Sequence, residues 1–454
     1  MKKIQSINPA TLEVLKEFEL LSLEEALNEI KKSKLAFGKW KNLSVKIRAN
    51  YMKEVSKILL KNKKAYGKLI TKEMGKPISS AFSEVEKCAW VCNYYARNAS
   101  NFLKQDFVKT ENKKSYVDFE PLGVILGIMP WNYPFWQVFR FAISTLCAGN
   151  AVIIKHASNV PQCALAIQEV FKKAGLPRGV FKVLLAGSQD VSALIEKVDG
   201  ISITGSVEAG RKVGEAAGRN IKKVVLELGG SDPFIVLKDA DIKFTCESGV
   251  KARMGNSGQS CIAAKRFIVV KEIASSFIKK FVEYTKALKI GDPMKKDTKI
   301  GPLARSDLVD NLDSQVSDAK AKGAKILCGG KKLGMGGNYY APTVITDIEP
   351  GMRIYSEETF GPVASIFVVG NEEEAIRKAN ATSFGLGASI WTKDLKKGEN
   401  IARQIQAGTI FVNEIVHSDP RLPFGGMKDS GFGRELGSYG IREFTNAKTI
   451  VIGR

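Results

Sequence analysis

One of the seven cysteines in this 454-residue chain stands where a reactive thiol would be built. Cys261 ends the segment Gly255–Cys261, which reads Gly-Asn-Ser-Gly-Gln-Ser-Cys and precedes an apolar run. Small residues let a ligand approach the backbone, and a cysteine near unpaired N–H groups has a stabilised thiolate. The segment therefore predicts a nucleophile at Cys261. The other six cysteines lie in apolar or helical patterns and are interpreted as inert core residues, so no metal site is expected.

A carboxylate interrupts an apolar strand 34 residues before Cys261. The run Val224–Leu228 is apolar apart from Glu227, and two glycines follow it. A carboxylate among apolar neighbours is costly unless its raised pKa is useful, as it is in a general base. Two interpretations stay open from the residues alone: a general base, or a strand-end glutamate paired with a nearby lysine.

The sequence offers one candidate phosphate site. The dinucleotide fingerprint G-x-G-x-x-G does not follow any predicted strand, and its partial lookalikes Gly431–Gly433 and Gly334–Gly336 follow loops. In the right context, the strand Ile201–Thr204 turns at Gly205 into a helix, where Ser206 adds a hydroxyl to the free N–H groups. Taken by itself, an ordinary capped helix explains this pattern better than a phosphate site.

These residues need a scaffold, and the hydrophobic pattern supplies one. Residues 22–104 show the three-and-four spacing of amphipathic helices, whereas short buried strands alternate with helices from Gly123 onward. The pattern predicts an α/β fold with two α/β domains, since such alternation calls for parallel sheets covered on both faces. The strand candidates are Val124–Ile128, Ala151–Ile154, Phe181–Leu184, Ile201–Ile203 and Val224–Leu228 in the first domain, and Phe267–Val270, Ser365–Val369, Ala388–Trp391 and Thr409–Val412 in the second.

Seven ordered motifs, spread over almost the whole chain, resemble those of the aldehyde dehydrogenase superfamily. They are Pro130–Pro134, Lys155–Ala157, Thr204–Ser206, Glu227–Gly230, Gly258–Cys261, Glu357–Pro362, and Pro423–Gly426 with Ser430 and Gly431. The resemblance implies a Rossmann-like NAD(P)-binding domain (residues 1–107 and 121–229) and an α/β catalytic domain (230–429). It also implies a small β oligomerisation element (108–120 and 442–454) and a homodimer or homotetramer.

The same resemblance implies the chemistry of oxidation. Cys261 resembles the nucleophile that attacks an aldehyde carbonyl to give a thiohemiacetal. Asn132, with the Cys261 N–H, resembles the oxyanion hole. Glu227 resembles the base that activates water to hydrolyse the thioester; the branch of the family that transfers the acyl group to CoA lacks this glutamate. Release of the free carboxylic acid is therefore expected.

For the cofactor, the resemblance places Trp131 and Lys155 near the adenosine ribose and Gly205 with Ser206 at the pyrophosphate. It places Glu358 and Phe360 at the nicotinamide ribose. Ser158 stands where NAD-specific relatives have an acid for the ribose 2′-hydroxyl. A carboxylate there would repel a 2′-phosphate and a serine would not, so both cofactors are expected and NADP is slightly favoured over NAD.

For the substrate, the flanking residues resemble those of the short succinate-semialdehyde dehydrogenases. Arg140 follows Asn132 by eight residues, where that branch binds the distal carboxylate, and Ser418 matches a further substrate-side hydroxyl. Arg253 is a weaker candidate for the same carboxylate, because Met254 intervenes before the loop, and a structural role is an equal alternative. A broader or hydroxy-aldehyde dehydrogenase, for lactaldehyde or glyceraldehyde, stays open as an alternative function.

Composition argues against other classes of function. The 69 basic and 47 acidic residues give a net charge of +22, but the lysines are scattered in short pairs without aromatic residues between them. This is typical of a solvated surface, so no nucleic acid is expected. No apolar stretch is long enough for a membrane span or a signal peptide, so the expected location is the cytoplasm. A non-enzymatic structural or nucleic-acid-binding descendant is a remote alternative, encouraged only by the charge.

Overall fold

The computed structural model describes residues 3–453, and the helical quarter predicted at the N-terminus is confirmed, with a β-hairpin placed before it. Its elements are β1 (Lys3–Ile7), β2 (Val14–Glu19), α1 (Leu23–Trp40), α2 (Val45–Lys61), α3 (Lys63–Met74) and α4 (Ile78–Phe102). A capping box of Ser22 and Glu25 starts α1. Gly75, at φ 83°, ends α3 in the left-handed conformation.

The strands and helices that follow alternate, as the periodicity predicts. They begin with β3 (Asp106–Phe107), β4 (Lys114–Pro121), β5 (Val124–Met129), α5 (Trp136–Ala148), β6 (Ala151–His156), α6 (Pro161–Lys173), β7 (Phe181–Leu184), α7 (Val191–Lys197), β8 (Gly200–Thr204), α8 (Val207–Arg219) and β9 (Lys223–Glu227). The chain continues through β10 (Asp232–Val236), α9 (Ile242–Met254), β11 (Ala264–Val270), α10 (Lys271–Lys286), α11 (Ser306–Ala321), β12 (Lys325–Cys328), β13 (Thr343–Thr346), α12 (Arg353–Ser356), β14 (Val363–Val369), α13 (Glu372–Asn380), β15 (Gly387–Trp391), α14 (Leu395–Ala402), β16 (Thr409–Val412), β17 (Gly431–Phe432), α15 (Gly437–Glu443) and β18 (Thr445–Ile452).

The first large sheet has the strand order β17-β9-β8-β5-β6-β7. All neighbours are parallel except the short β17, which runs antiparallel to β9. β5 and β6 are buried almost throughout, because helices cover both faces. Since the carboxyl ends of parallel strands meet at one edge, the motifs after β5, β6, β8 and β9 lie along the same side of the sheet.

The second large sheet has the order β12-β13-β14-β11-β10-β15-β16, and only β12 is antiparallel to its neighbour. The interior strand β10, next to the central β11, is absent from the strands predicted by sequence. Pro233 explains the omission, since a proline argues against a central strand. The register of β10 against β11 shifts between Asp232 and Pro233, and this irregularity accommodates the missing N–H.

A third sheet, of order β18-β4-β3, contains most of the two segments predicted as the β oligomerisation element. Residues Thr445–Ile452 pair antiparallel with Lys114–Pro121. Strand structure at 442–444 is contradicted, because α15 continues to Glu443, and residues 108–113 connect β3 to β4. Residues 1, 2 and 454, included in the predicted domains, lie outside the described chain. Within residues 3–453, no helix is long and apolar enough to cross a membrane.

Candidate active site

The loop before Cys261 has an unusual backbone. Asn256 and Ser257 have φ values of 55° and 54°, in the left-handed region, and Gly258 follows at 74°. A Cβ on Gly258 would lie 2.2 Å from the Gly361 carbonyl oxygen, so only glycine fits there. Left-handed non-glycine residues cost energy and concentrate at functional sites. The loop therefore has the features of a site in which backbone strain is retained to place one side chain.

Two asparagine amides hold this loop against the segment after β5. The Asn132 Nδ2 donates to the Gln259 carbonyl at 3.1 Å, and the Asn256 Nδ2 donates to the carbonyls of Asn132 (3.0 Å) and Gln259 (2.9 Å). Asn132 is buried, and one of its two amide hydrogens serves this contact. The arrangement holds the Asn132 amide against Gln259, which precedes Cys261 by two residues. The second amide hydrogen of Asn132 remains available to another acceptor.

The Cys261 thiol lies in the wall of a cavity of about 420 Å³ and is only partly buried. Burial raises the pKa of Cys261 to about 11, while the positive charges of Arg140 and Lys265 act in the opposite direction. Forming the thiolate therefore depends on neighbouring cations. A further cation bound nearby would lower this pKa.

Lys265 is a functional residue that the sequence analysis missed. Its Nζ donates to the carbonyls of Cys261 (2.7 Å) and Ser260 (3.1 Å) and pairs with the Glu358 carboxylate at 2.9 Å. The side chain is 1% exposed. A lysine at the start of an apolar strand was a usable signal, since a buried ammonium is costly unless it is paired.

Glu227 ends β9 and is 2% exposed, and its Oε1 has no hydrogen-bond partner within residues 3–453. Burial raises the pKa of Glu227 well above its usual range, the Glu435 carboxylate raises it as well, and Arg140 opposes this. Glu227 is not part of the wall that exposes Cys261. The structure thus brings it next to Arg140 and Glu435, and no lysine pairs with it in the described chain.

The predicted cofactor residues lie at the ends of parallel strands. Lys155 is half-buried at the end of β6, where burial alone lowers its pKa, and Ser158 is exposed two residues beyond the strand. The neighbouring Asn159 Nδ2 is buried without a partner in the described residues. An ammonium without a counter-charge and an orphaned amide suit an anionic, hydroxylated ligand.

Two further groups of predicted cofactor residues flank this edge. Ser206 caps the 13-residue helix α8 by accepting from the Ala209 N–H (3.3 Å), and the Gly205 N–H donates to the Glu227 carbonyl. Nearer to Cys261, Glu358 accepts from the Gly230 N–H at 3.1 Å.

Two aromatic rings border the same region. Phe360 packs edge-to-face on Trp131, with ring centroids 5.7 Å apart. Trp131 and Phe360, which were predicted from two separate motifs, are therefore in contact in the folded chain.

Arg140 occupies the cavity wall, as predicted, but it is already paired. Its guanidinium forms an ion pair with the Glu435 carboxylate, donates to the Thr204 hydroxyl at 3.2 Å and stacks over the Phe424 ring at 4.6 Å. The side chain is 2% exposed. Its positive charge reaches the cavity, yet a carboxylate partner partly compensates it.

Ser418 also faces the cavity and joins two residues there. Its Oγ accepts from the Trp136 Nε1 at 3.1 Å and from the Lys87 Nζ at 2.9 Å. Lys87 comes from α4 and was not predicted as a site residue. Its only sequence signal was a lysine within the apolar stripe of an amphipathic helix, which usually marks a solvated edge.

Arg253 does not line the cavity that exposes Cys261, and its contacts favour the structural alternative over a contact with a substrate carboxylate. Its guanidinium is fully buried and donates to backbone carbonyls of Thr359 (2.8 Å), Gly361, Val363 and Gly258 (3.4 Å). These carbonyls take four of the five guanidinium N–H donors, and the side chain does not line the cavity. Arg253 therefore ties α9 to the segment before β14.

Comparisons with known proteins agree with this geometry. A family model described as the aldehyde dehydrogenase family matches residues 1–450. A probable succinate-semialdehyde dehydrogenase [NADP(+)] of Synechocystis is 48% identical over 451 residues, covering 99% of each chain. A succinate semialdehyde dehydrogenase [NAD(P)+] of Escherichia coli K12 is 43% identical, covering 98% of this chain and 97% of its own. The solved structure of succinic semialdehyde dehydrogenase from Streptococcus pyogenes in complex with NADP+ superposes with a TM-score of 0.97 at 35% identity, covering 99% and 100% of the two chains.

Proposed function

Because this chain belongs to the aldehyde dehydrogenase family, we propose that it oxidises succinate semialdehyde to succinate with NADP or NAD. The observation that carries the proposal is that one cavity is lined by Cys261 and also by the cationic and hydroxyl groups of Arg140 and Ser418. A substrate with an aldehyde at one end and a carboxylate at the other matches this arrangement. The names of the relatives from Synechocystis and Escherichia coli support the same substrate.

In the proposed reaction, the Cys261 thiolate attacks the aldehyde carbon and forms a thiohemiacetal. The free amide hydrogen of Asn132 and the Cys261 N–H stabilise the oxyanion that develops on the carbonyl oxygen. The Lys265 ammonium, held on the Cys261 carbonyl, stabilises the thiolate before the attack. A nicotinamide nucleotide held beside Glu358 and Phe360 would supply the hydride acceptor that converts the thiohemiacetal on Cys261 into a thioester.

Glu227 is the proposed base for hydrolysis of that thioester. Its carboxyl has no lysine partner and an elevated pKa, which suit a group that takes a proton from water near neutral pH. Arg140 adjoins it and stabilises its charged form, whereas the adjoining Glu435 stabilises its neutral form. Hydrolysis releases the free acid and restores the thiol.

The proposed cofactor site uses Lys155 and Ser158 for the ribose and Gly205 with Ser206 for the pyrophosphate, while Trp131, Glu358 and Phe360 border the nicotinamide side. The half-buried Lys155 ammonium and the orphaned Asn159 amide fit such a group. Ser158 places no negative charge there, so a 2′-phosphate can pair with Lys155. We therefore propose that NADP is favoured over NAD.

The proposed assembly is a homodimer or homotetramer. β18 lies at the edge of the third sheet, and its Val451 and Ile452 are 52% and 46% exposed. An open apolar edge of this kind is usually covered by another chain. Sedimentation as a monomer at micromolar concentration would contradict this assembly.

The first experiment measures initial rates of reduced-cofactor formation with succinate semialdehyde, butanal and lactaldehyde, each with NADP and with NAD. We expect kcat/KM for succinate semialdehyde to exceed that for butanal by about 100-fold, because the carboxylate adds a charged hydrogen-bonded contact. NADP should give the higher kcat/KM. Equal values for the charged and uncharged aldehydes would overturn the substrate assignment while keeping the family.

A further inference from the structure

The feature that the proposed reaction leaves unused is the ammonium of Lys87. This residue lies on α4, half-buried in the wall of the Cys261 cavity. Its Nζ donates to Ser418 at 2.9 Å and lies 4.4 Å from the centroid of the Trp136 ring. Within residues 3–453 no carboxylate forms an ion pair with it. An ammonium has three donors, so two of them remain for a ligand.

The two acidic residues that act on Lys87 form ion pairs with other side chains. Glu84 pairs with Lys76 and accepts from the N–H groups of Phe135 (2.8 Å) and Trp136 (3.0 Å) at the start of α5. Asp419 accepts from the Arg421 guanidinium at 2.6 and 2.9 Å. Neither carboxylate is free to neutralise Lys87, so its positive charge is directed into the cavity.

Ser418 supplies a second donor at the same place. Its oxygen accepts from both Lys87 and Trp136, and in the described part of the chain its own hydrogen reaches no acceptor. A serine hydroxyl whose lone pairs are both occupied by donors is oriented to donate. The two donors of Lys87 and Ser418 therefore converge on one point of the cavity wall.

Arg140 differs from Lys87 in its exposure and in having a carboxylate partner. It is 2% exposed, and the Glu435 carboxylate forms an ion pair with its guanidinium. A charge that already has a buried partner attracts a second carboxylate less than an unpaired charge does, because Glu435 repels the incoming anion. Arg140 thus contributes positive potential and holds Phe424, whereas Lys87 has free donors.

We propose that the Lys87 ammonium and the Ser418 hydroxyl bind the distal carboxylate of the substrate directly, and that Lys87 is the residue that sets specificity for a carboxylated aldehyde. This assignment rests on the proposed function and deepens it. Burial and the charge of Arg140 lower the pKa of Lys87 to about 8, which keeps the ammonium as the main form at neutral pH. An arriving carboxylate would stabilise that charge.

The test compares succinate semialdehyde with butanal for the wild type, Lys87→Met, Lys87→Arg and Lys251→Met. Lys251 is an exposed lysine on the rim of the same cavity and controls for a general loss of positive charge. We expect Lys87→Met to lower kcat/KM for succinate semialdehyde by about 10- to 100-fold, mainly through KM, because a hydrogen-bonded charge is lost. The value for butanal should change less than about threefold, and Lys87→Arg should recover most of the loss.

Three outcomes distinguish the proposed function from the proposed role of Lys87. A wild type without preference for succinate semialdehyde overturns the proposed function together with the role of Lys87. A preference that survives Lys87→Met unchanged overturns the role of Lys87 alone, as does an equal loss with both aldehydes. Should Lys87→Met fail to fold, as judged by its thermal melting, Lys87→Gln carries the same test. That variant should also raise KM for succinate semialdehyde selectively, and an unchanged ratio there overturns the proposal.

Discussion

Two groups of residues at the cavity are held in different ways. We call the residues around Cys261 the nucleophile end and the residues around Lys87 the distal end. At the nucleophile end, side chains hold main-chain carbonyls: Asn132 and Asn256 donate to Gln259, and Lys265 donates to Ser260 and Cys261. At the distal end, the contacts join side chains to side chains, as in the cluster of Lys87, Ser418 and Trp136. These three side chains come from α4, the loop before β17, and α5.

This difference bears on which end fixes the chemistry and which end fixes the choice of substrate. A network that holds carbonyls fixes the backbone, so a substitution there displaces the loop that carries the thiol. A network of side chains can change its charge without moving the backbone, because its members come from separate parts of the chain and hold one another through their side chains. We infer that the chemistry resides at the first end and that specificity resides at the second.

The largest effect is expected from a substitution that changes the nucleophile end alone. Cys261→Ala removes the attacking atom, and we expect kcat to fall by at least about 10⁴-fold. Cofactor affinity, measured by calorimetric titration, should stay within about twofold of the wild type, because the surrounding backbone contacts do not involve the sulfur. Cys328→Ala, on β12 away from the cavity, is the matched control. Substantial turnover in Cys261→Ala would show that another group is the nucleophile.

A second prediction concerns the buried Arg253. Arg253 donates only to carbonyls, so Arg253→Met leaves several buried acceptors unpaired. We expect the free energy of unfolding to fall by about 3 kcal/mol, measured by denaturant titration. Below the melting temperature, the ratio of kcat/KM for succinate semialdehyde to that for butanal should stay unchanged. A changed ratio at unchanged stability would return Arg253 to the substrate site.

Arg253 and Lys87 also show where prediction from sequence succeeded and where it stopped. The local pattern around Cys261 predicts a nucleophile, whereas the roles expected of Glu227 and Asn132 came from the family resemblance. Most strands of the two large sheets follow from hydrophobic periodicity. The partners of Arg253 lie mostly more than 100 residues away, and Lys87 meets Ser418 across 331 residues. Nothing local distinguishes an arginine that binds carbonyls from one that binds a substrate. Tertiary contacts alone decide between them.

The distal end has a further property, its dependence on pH. Arg140, Cys88, Asp419 and Glu84 surround Lys87, and His417 lies on the same cavity wall. Burial raises the pKa of Cys88 well above its usual range, so that thiol stays neutral. The Arg421 guanidinium lowers the pKa of Asp419, so that carboxylate stays charged. Above neutral pH, Lys87 is therefore the group of this cluster that we expect to change charge.

The smallest expected effect follows from that titration. Lys87 has a pKa of about 8, so the ammonium is present below this pH and is lost as the pH rises through it. The ratio of kcat/KM for succinate semialdehyde to that for butanal should therefore fall about tenfold between about pH 7 and about pH 9. Taking the ratio cancels the titration of Cys261, which affects both aldehydes alike. In Lys87→Arg the ratio should stay flat, because a guanidinium keeps its charge in this range. A wild-type ratio that is equally flat would mean that a permanent charge, such as that of Arg140, binds the carboxylate, and the two ends of the cavity would then differ less than their contacts indicate.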